Sequence, residues 1–318
     1  MSEQSDQEET PGAYLIQGNV IRNPNQLNLR FYEGYDHKFL YRKAQTLMHI
    51  VTEHEHFKEQ IRKGEERSED SIYNYLHSQD IDEKYFESLR AEVYFTEMHQ
   101  FESLFALAIA AFQVLPHWLY LTIYKPGAIR TAANLFLDGK IAELTHNQVS
   151  TKSEFVASAI YTGFTFEEDS RWETNLDNIV WLLDRMAKKY VEATEYRAGE
   201  YNAYKHGLRV LTGPTSLQVA TSPQGPYFVI GASDNSLSFL KREDLGEGGM
   251  TILEVTKHFN PEESFVHLHI MQLILEEIKN TRLAKMKNEP LTALGAFIDL
   301  DKEQIEALRV NGYWHFTA

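Results

Sequence analysis

The chain has no cysteine among its 318 residues. Disulfides, thiolate metal sites and cysteine nucleophiles are therefore excluded, and the composition fits a reducing cytosol. Positive charge is also scarce. Lys and Arg number 31 against 46 Asp and Glu, a formal net charge of −15. With a pI near 5.3, a broadly basic surface that coats nucleic acid or anionic membrane is not expected, and any nucleic-acid contact has to be a local basic patch.

Long apolar runs are missing too. The most apolar window, residues 104–124, is interrupted by Gln113, Pro116 and His117, whereas a membrane span needs roughly 20 mostly apolar residues. Residues 1–10 are acidic and polar, the opposite of the basic start and apolar run of a secretory signal. Gly246-Glu-Gly-Gly249 lacks the Lys-Ser/Thr and the following helix of a phosphate-cradling loop. The chain shows no G-x-S-x-G, no zinc-protease motif, no internal repeat and no linker long enough to demand separate domains.

With 43% hydrophobic and 12% aromatic residues, the chain can bury a substantial core. Residues 1–12 read as a disordered acidic tail. Residues 13–318 read as one mainly α domain, a helical bundle with a small antiparallel β-sheet at about 214–259, before the C-terminal long helix. Apolar spacing predicts helices over 36–66, 82–115, 126–137, 152–164, 172–206 and 301–309. Asn260-Pro261-Glu262-Glu263 is a helix start: N-cap, Pro at N1, acids in the first turn. That helix should reach about Met286. Short strands are expected at 216–220, 227–230, 236–240 and 251–259, with turns at 233–236 and 247–249. In the last strand Leu253, Val255 and Phe259 alternate with Glu254, Thr256 and His258, the pattern of a sheet with one wet face.

Polar chemistry concentrates in residues 197–209. At about 100° per residue, Glu195, Asn202, His206 and Arg209 share one stripe if the helix runs that far. Gly199 opens space beside the stripe, and Arg197 points to nearly the opposite side from His206. Tyr201 and Tyr204 flank it as stacking surfaces for bases. Lys205 and Arg209 supply positive charge. His206 as acid/base, Asn202 as orienting group and Arg209 as phosphate clamp would suit metal-independent RNA cleavage through the 2′-OH. The structural alternative has Asn202 and His206 bridging helix ends or satisfying backbone groups where the chain turns at Gly207.

The segment Tyr201-Asn-Ala-Tyr-Lys-His-Gly207, on a late helix of an all-helical domain, resembles the HEPN superfamily (higher eukaryote and prokaryote nucleotide-binding), in its uncharacterised bacterial branch. The resemblance spans residues 36–210 as helices. It implies a helical bundle, commonly dimeric, related to ribonucleases of toxin–antitoxin and phage-defence systems. RNA, a second copy of the chain or another protein would be the partner. The location would be cytoplasmic, with no membrane and no cofactor. Arg197 lies too far before His206 for the family's Arg-polar-His pattern, so only His206, with Asn202 as polar neighbour, carries over. A non-catalytic interaction scaffold on the same fold is the alternative.

A second constellation joins Glu53 and His56, in Glu-x-x-His spacing, to Glu92, Glu97, His99 and Glu102. Glu92 and His99, seven apart, share a helix face. With Glu195, Glu200 and His206 they could form a di-iron carboxylate site, a third reading. His54 and His56 otherwise belong to a charged solvent face. His267 and His269 are two apart, about 200° around a helix, and cannot chelate one ion. One of them should be exposed and the other at the core edge.

Overall fold

A computed structural model describes residues 14–16, 19–21, 24–67, 78–125, 127–166, 169–195, 199–205, 210–220, 227–246, 249–291, 298–309 and 313–317. The expected 1–12 tail lies outside them, as do Arg197, His206, Gly207, Arg209 and residues 247–248 of an expected turn. In chain order, β1 (Tyr14–Ile16) and β2 (Asn19–Ile21) precede α1 (Pro24–Gly34), α2 (Phe39–Thr52) and α3 (His54–Arg67). Next come α4 (Glu83–Ala110), α5 (His117–Ile123), α6 (Ala128–Leu137), α7 (Ile141–Leu144), α8 (Lys152–Ala159), α9 (Trp172–Ala193) and α10 (Glu200–Lys205). Then follow β3 (Val210–Ala220), β4 (Tyr227–Gly246), β5 (Gly249–His258), α11 (Pro261–Lys287), α12 (Lys302–Ala307) and β6 (Tyr313–Thr317). The protein is mainly α, with an antiparallel sheet before its long C-terminal helix, as the sequence implies. Among the described residues no helix is long and apolar enough to cross a membrane.

The chain divides into two compact units, each assembled from three separate stretches of sequence. Unit 1 comprises Met1–His37, Ser103–Asp184 and Leu273–Ile298. Its core is aromatic. Phe155 lies 5.3 Å from Phe112, 5.4 Å from Phe136 and 6.1 Å from Phe105, measured between ring centres. Ring pairs at this spacing add about 0.5–1.5 kcal/mol each beyond the area they bury. The helix α8 that carries Phe155 opens with a capping box. Thr151 accepts from the Glu154 amide at 3.1 Å, and the Glu154 carboxylate accepts from the Thr151 amide at 3.0 Å.

Unit 2 comprises Lys38–Glu102, Arg185–Gln272 and Asp299–Ala318. Ala44, Val93 and Leu268 form one buried cluster, with Tyr41, Leu47, Met48 and Phe265 packed against it. Ile61, Ile81 and Phe86 form another. Its sheet is antiparallel in the order β3-β4-β5-β6. The start of α11 matches its signals: Asn260 Oδ1 accepts from the Glu262 amide at 2.9 Å.

Three expectations need correction. The helix expected over 172–206 ends at Ala193 and resumes at Glu200. The turn expected at 233–236 is a bulge within one continuous strand, β4. Gly213 pairs with Ser236 and Thr215 with Ser233, so Pro214 faces two residues. Proline has no N–H for a ladder, and a bulge is where a strand tolerates it. The wet face of β5 dries out toward its end, where Val255, Thr256, Lys257 and His258 are all buried.

Candidate functional site

The site is built on α4 in unit 2. At about 100° per residue, Glu92, Phe95, His99 and Glu102 fall on one face of that helix. Helix α10 answers with Tyr201, Tyr204 and Lys205, spaced i, i+3, i+4. The Tyr204 ring stacks on Phe95 at 3.9 Å between centres. Its hydroxyl donates to Glu92 Oε2 at 2.5 Å. The other Glu92 oxygen accepts from Lys43 of α2 at 2.5 Å. Tyr201 donates to Glu102 Oε2 at 3.2 Å, and Lys205 donates to the same oxygen at 2.8 Å. The Lys205 ammonium also sits 4.2 Å from the centre of the Tyr201 ring.

The structure thus merges two constellations that the sequence keeps apart. Glu92, His99 and Glu102, grouped by spacing with a metal site, instead face the Tyr-x-x-Tyr-Lys of α10. His99 stands exposed at the edge of this face. Partial burial lowers its pKa below the ordinary histidine value; the charges of Lys205 and Lys43 push the same way, against Glu102 and Glu92. Burial raises the Tyr201 phenol well above its ordinary value, and Glu102 adds to the effect. Burial likewise raises Tyr204, helped by Glu92. Both phenols therefore remain protonated donors.

Asn202 closes the gap between α9 and α10. Its Nδ2 donates to the Thr194 carbonyl at 2.9 Å, left open where α9 ends, and to the Glu195 carbonyl at 3.3 Å, which also accepts from the Gly199 amide at 2.9 Å. Gly199 lies so close to that end that a Cβ there would overlap the Ala193 carbonyl and sit 2.7 Å from the Glu195 nitrogen. Glu195 and Asn202 therefore do not share one helical stripe.

Tyr201 is 2% exposed, and its ring packs beside Phe95 and Tyr190. It offers no open face to a base in this conformation. Tyr204 and Asn202 are half-buried and Lys205 is exposed. Arg209 and His206 lie beyond the described residues. Lys43 belongs to the site although no sequence motif marks it. The signal that could have found the α4–α10 pairing is the heptad-like Glu-Phe-His-Glu face opposite a helical turn of Tyr, Tyr and Lys.

Behind this face lie two more carboxylates, both deeply buried. Glu97 accepts from Lys189 at 2.7 Å, Ser264 at 2.7 Å and His267 Nδ1 at 2.5 Å. Arg185 donates to the opposite His267 nitrogen at 3.2 Å. A guanidinium cannot accept, so Nε2 must, and the His267 proton sits on Nδ1 toward Glu97. Burial works to raise the Glu97 carboxyl, but Lys189 and His267 outweigh it and hold it down at about 2. Glu200 accepts from Tyr94 at 2.5 Å and from Lys257. Burial raises its carboxyl as well, and Lys257 again wins, lowering it. His269 is exposed, as expected for one of that pair, whereas His267 is fully buried rather than at the core edge.

Among the described residues no three His, Asp or Glu side chains are grouped so as to hold a metal ion. Glu92 spends both oxygens, and Glu200 its Oε1, on lysine and tyrosine. Glu53 is the residue that ends α2, and His56 faces Gln60 at 3.4 Å. The di-iron reading finds no ligand set there. The arrangement can instead offer the His99 imidazole to solvent, on a face where Lys43 is paired with Glu92 and the exposed Lys205 with Glu102. No family model, curated protein or solved structure matches this chain.

Proposed function

We propose that this chain is a HEPN-like protein that binds and cleaves RNA along the solvent edge of the α4–α10 face. The observation that carries the reading is the His99 imidazole at the solvent edge, its pKa lowered first by partial burial and then by Lys205 and Lys43 against Glu102 and Glu92, beside the helix whose next residue is His206. A lowered pKa keeps His99 neutral at physiological pH, the form that can take a proton. In the proposed step His99 removes the proton of a ribose 2′-OH. The 2′-oxygen bonds to the adjacent phosphorus and the P–O5′ bond breaks. Protonated His206 then delivers a proton to the leaving 5′-oxygen, giving a 2′,3′-cyclic phosphate and a 5′-hydroxyl. Lys205 and Arg209 hold the phosphate. Glu92 and Glu102 offset the lysines, so affinity should be modest and strongly salt-dependent.

One observation favours a second reading, a non-catalytic interaction scaffold. Asn202 Nδ2 and the hydroxyls of Tyr201 and Tyr204 already donate within the chain.

The test is cleavage of a fluorescein-labelled single-stranded RNA in EDTA at low salt, with binding followed by fluorescence polarisation. The RNA reading expects cleavage that is abolished in His206→Ala, reduced at least tenfold in His99→Ala, and accompanied by weaker binding in Lys205→Gln. A wild-type protein that neither binds nor cleaves RNA overturns it. Binding without cleavage, unchanged in His99→Ala, moves the protein to the scaffold reading.

A further inference from the structure

Unit 1 holds a guanidinium, an imidazole and a phenol in contact. Arg282 of α11 is 3% exposed. Its Nη2 donates to the Ala159 carbonyl at 2.7 Å, with the Leu107 carbonyl at 3.5 Å. Its Nη1 lies 2.8 Å from His117 Nδ1 and 3.1 Å from Nε2. The Tyr32 hydroxyl also lies 2.8 Å from His117 Nδ1. Burying a guanidinium is costly unless an anion compensates it. Among the described residues no carboxylate forms an ion pair with Arg282.

The donor count is unbalanced as well. Arg282 Nε is buried with no acceptor. Burial and the neighbouring Arg282 push His117 down to about 3, so its ring is neutral and has one accepting nitrogen. The Tyr32 O–H can take that nitrogen while the Tyr32 oxygen accepts from Arg282. These groups satisfy one another, and Arg282 Nε is the buried donor left without an acceptor beside a buried positive charge. His117 is only half-buried, so this corner of the unit reaches solvent.

We propose that Arg282, His117 and Tyr32 form an oxyanion-binding site for the carboxylate or phosphate group of a small molecule. The anion accepts from Arg282 Nε, beside the His117 and Tyr32 side chains, and supplies the missing negative charge. The site shares no residue with the α4–α10 face and does not depend on its function. Trp118 follows His117 in sequence and is 42% exposed. Phe31 links it to the site, 6.0 Å from Trp118 and 4.9 Å from Tyr32 between ring centres. Trp118 should therefore report occupancy.

The experiment titrates the full chain with inorganic phosphate and, separately, with benzoate at millimolar concentrations. Tryptophan emission and melting temperature are followed, and the ionic strength is held constant with chloride. The expected result is a saturable emission change and a rise in melting temperature with at least one anion. The emission change should be lost in Trp118→Phe. Affinity should fall at least tenfold in Arg282→Met and less in Arg282→Lys. Saturation by phosphate alone identifies a phosphate ligand, and saturation by benzoate a carboxylate. If Arg282→Met does not fold, His117→Ala takes its place, since that side chain is half-buried and its loss removes one wall of the site. The proposal is overturned if neither anion saturates, or if affinity is unchanged in the folded Arg282 or His117 variants.

Discussion

Replacing Glu97 by glutamine tests the buried network of unit 2 most directly. The glutamine keeps the shape but removes the charge that compensates Lys189, whose side chain is 17% exposed. It also has one carbonyl oxygen for two facing donors, so either His267 Nδ1–H or the Lys189 ammonium meets an NH2 that cannot accept. Two routes give the size of the loss. Removing one member of a buried ion pair typically costs about 3–5 kcal/mol. Independently, the carboxyl is lowered from 4.5 to about 2, and at 1.36 kcal/mol per unit this is on the order of 3 kcal/mol. The sign follows from the depressed value. The contribution is fully present above pH about 4.5 and drains away as pH falls toward 2, where both states bind the proton. Glu97→Gln has no such contribution, so the two proteins should differ by about 3 kcal/mol at pH 7 and converge on acidification. Urea unfolding followed by circular dichroism at pH 7 and at pH 3 measures both. A difference under about 1 kcal/mol at pH 7, or one that does not shrink at pH 3, would refute the assignment of Glu97 as the charged centre of this network.

The remaining predictions concern the α9–α10 junction and His99. Gly199→Ala drives a methyl into the Ala193–Glu195 backbone and should cost about 1–3 kcal/mol or more. A melting temperature within a degree of wild type would show that the junction yields freely. Asn202→Ala uncovers the Thr194 carbonyl and removes one of the two donors to the Glu195 carbonyl and should cost about 1 kcal/mol, read as a lower urea midpoint at unchanged slope. If RNA is cleaved, the lowered His99 pKa places the acidic limb of the pH–rate profile below pH 6.5, where the neutral base is lost. A limb above that value would transfer the base role to another group.

Local signals in the sequence were enough for elements whose ends are set by their own residues. Asn260-Pro261 starts α11, and Pro116 separates the end of α4 from α5. The break after Ala193 was not legible, because the apolar period runs on through the gap and no proline marks it. What stops the helix is the close approach of Gly199 and the Asn202 side chain, both tertiary facts. The bulge opposite Pro214 carries the same Ser-Asp-Asn-Ser composition as a turn, and only the register of β3 against β4 tells them apart. The polar residues on β5 looked wet, yet Lys257 is buried because Glu200 meets it there. The chemistry of residues 201–205 was visible, but not which acids would face it. Glu92, Glu97 and Glu102 recur every five residues, about 140° apart on a helix, and spacing alone cannot choose among them.

The two units leave no linker because each is interleaved with the other in sequence, and this bears on how the protein is made. A ribosome delivers residues in order, at roughly 5–20 per second. Unit 2 begins at Lys38, yet β5 receives its last partner only when Tyr313–Thr317 emerge. For many seconds of synthesis the outer edge of β5 is an unpaired template, of the kind that recruits foreign strands. The chain should therefore be most prone to misassembly while it is still attached to the ribosome. Truncations that remove β6 should aggregate far more readily than substitutions of comparable cost elsewhere in unit 2.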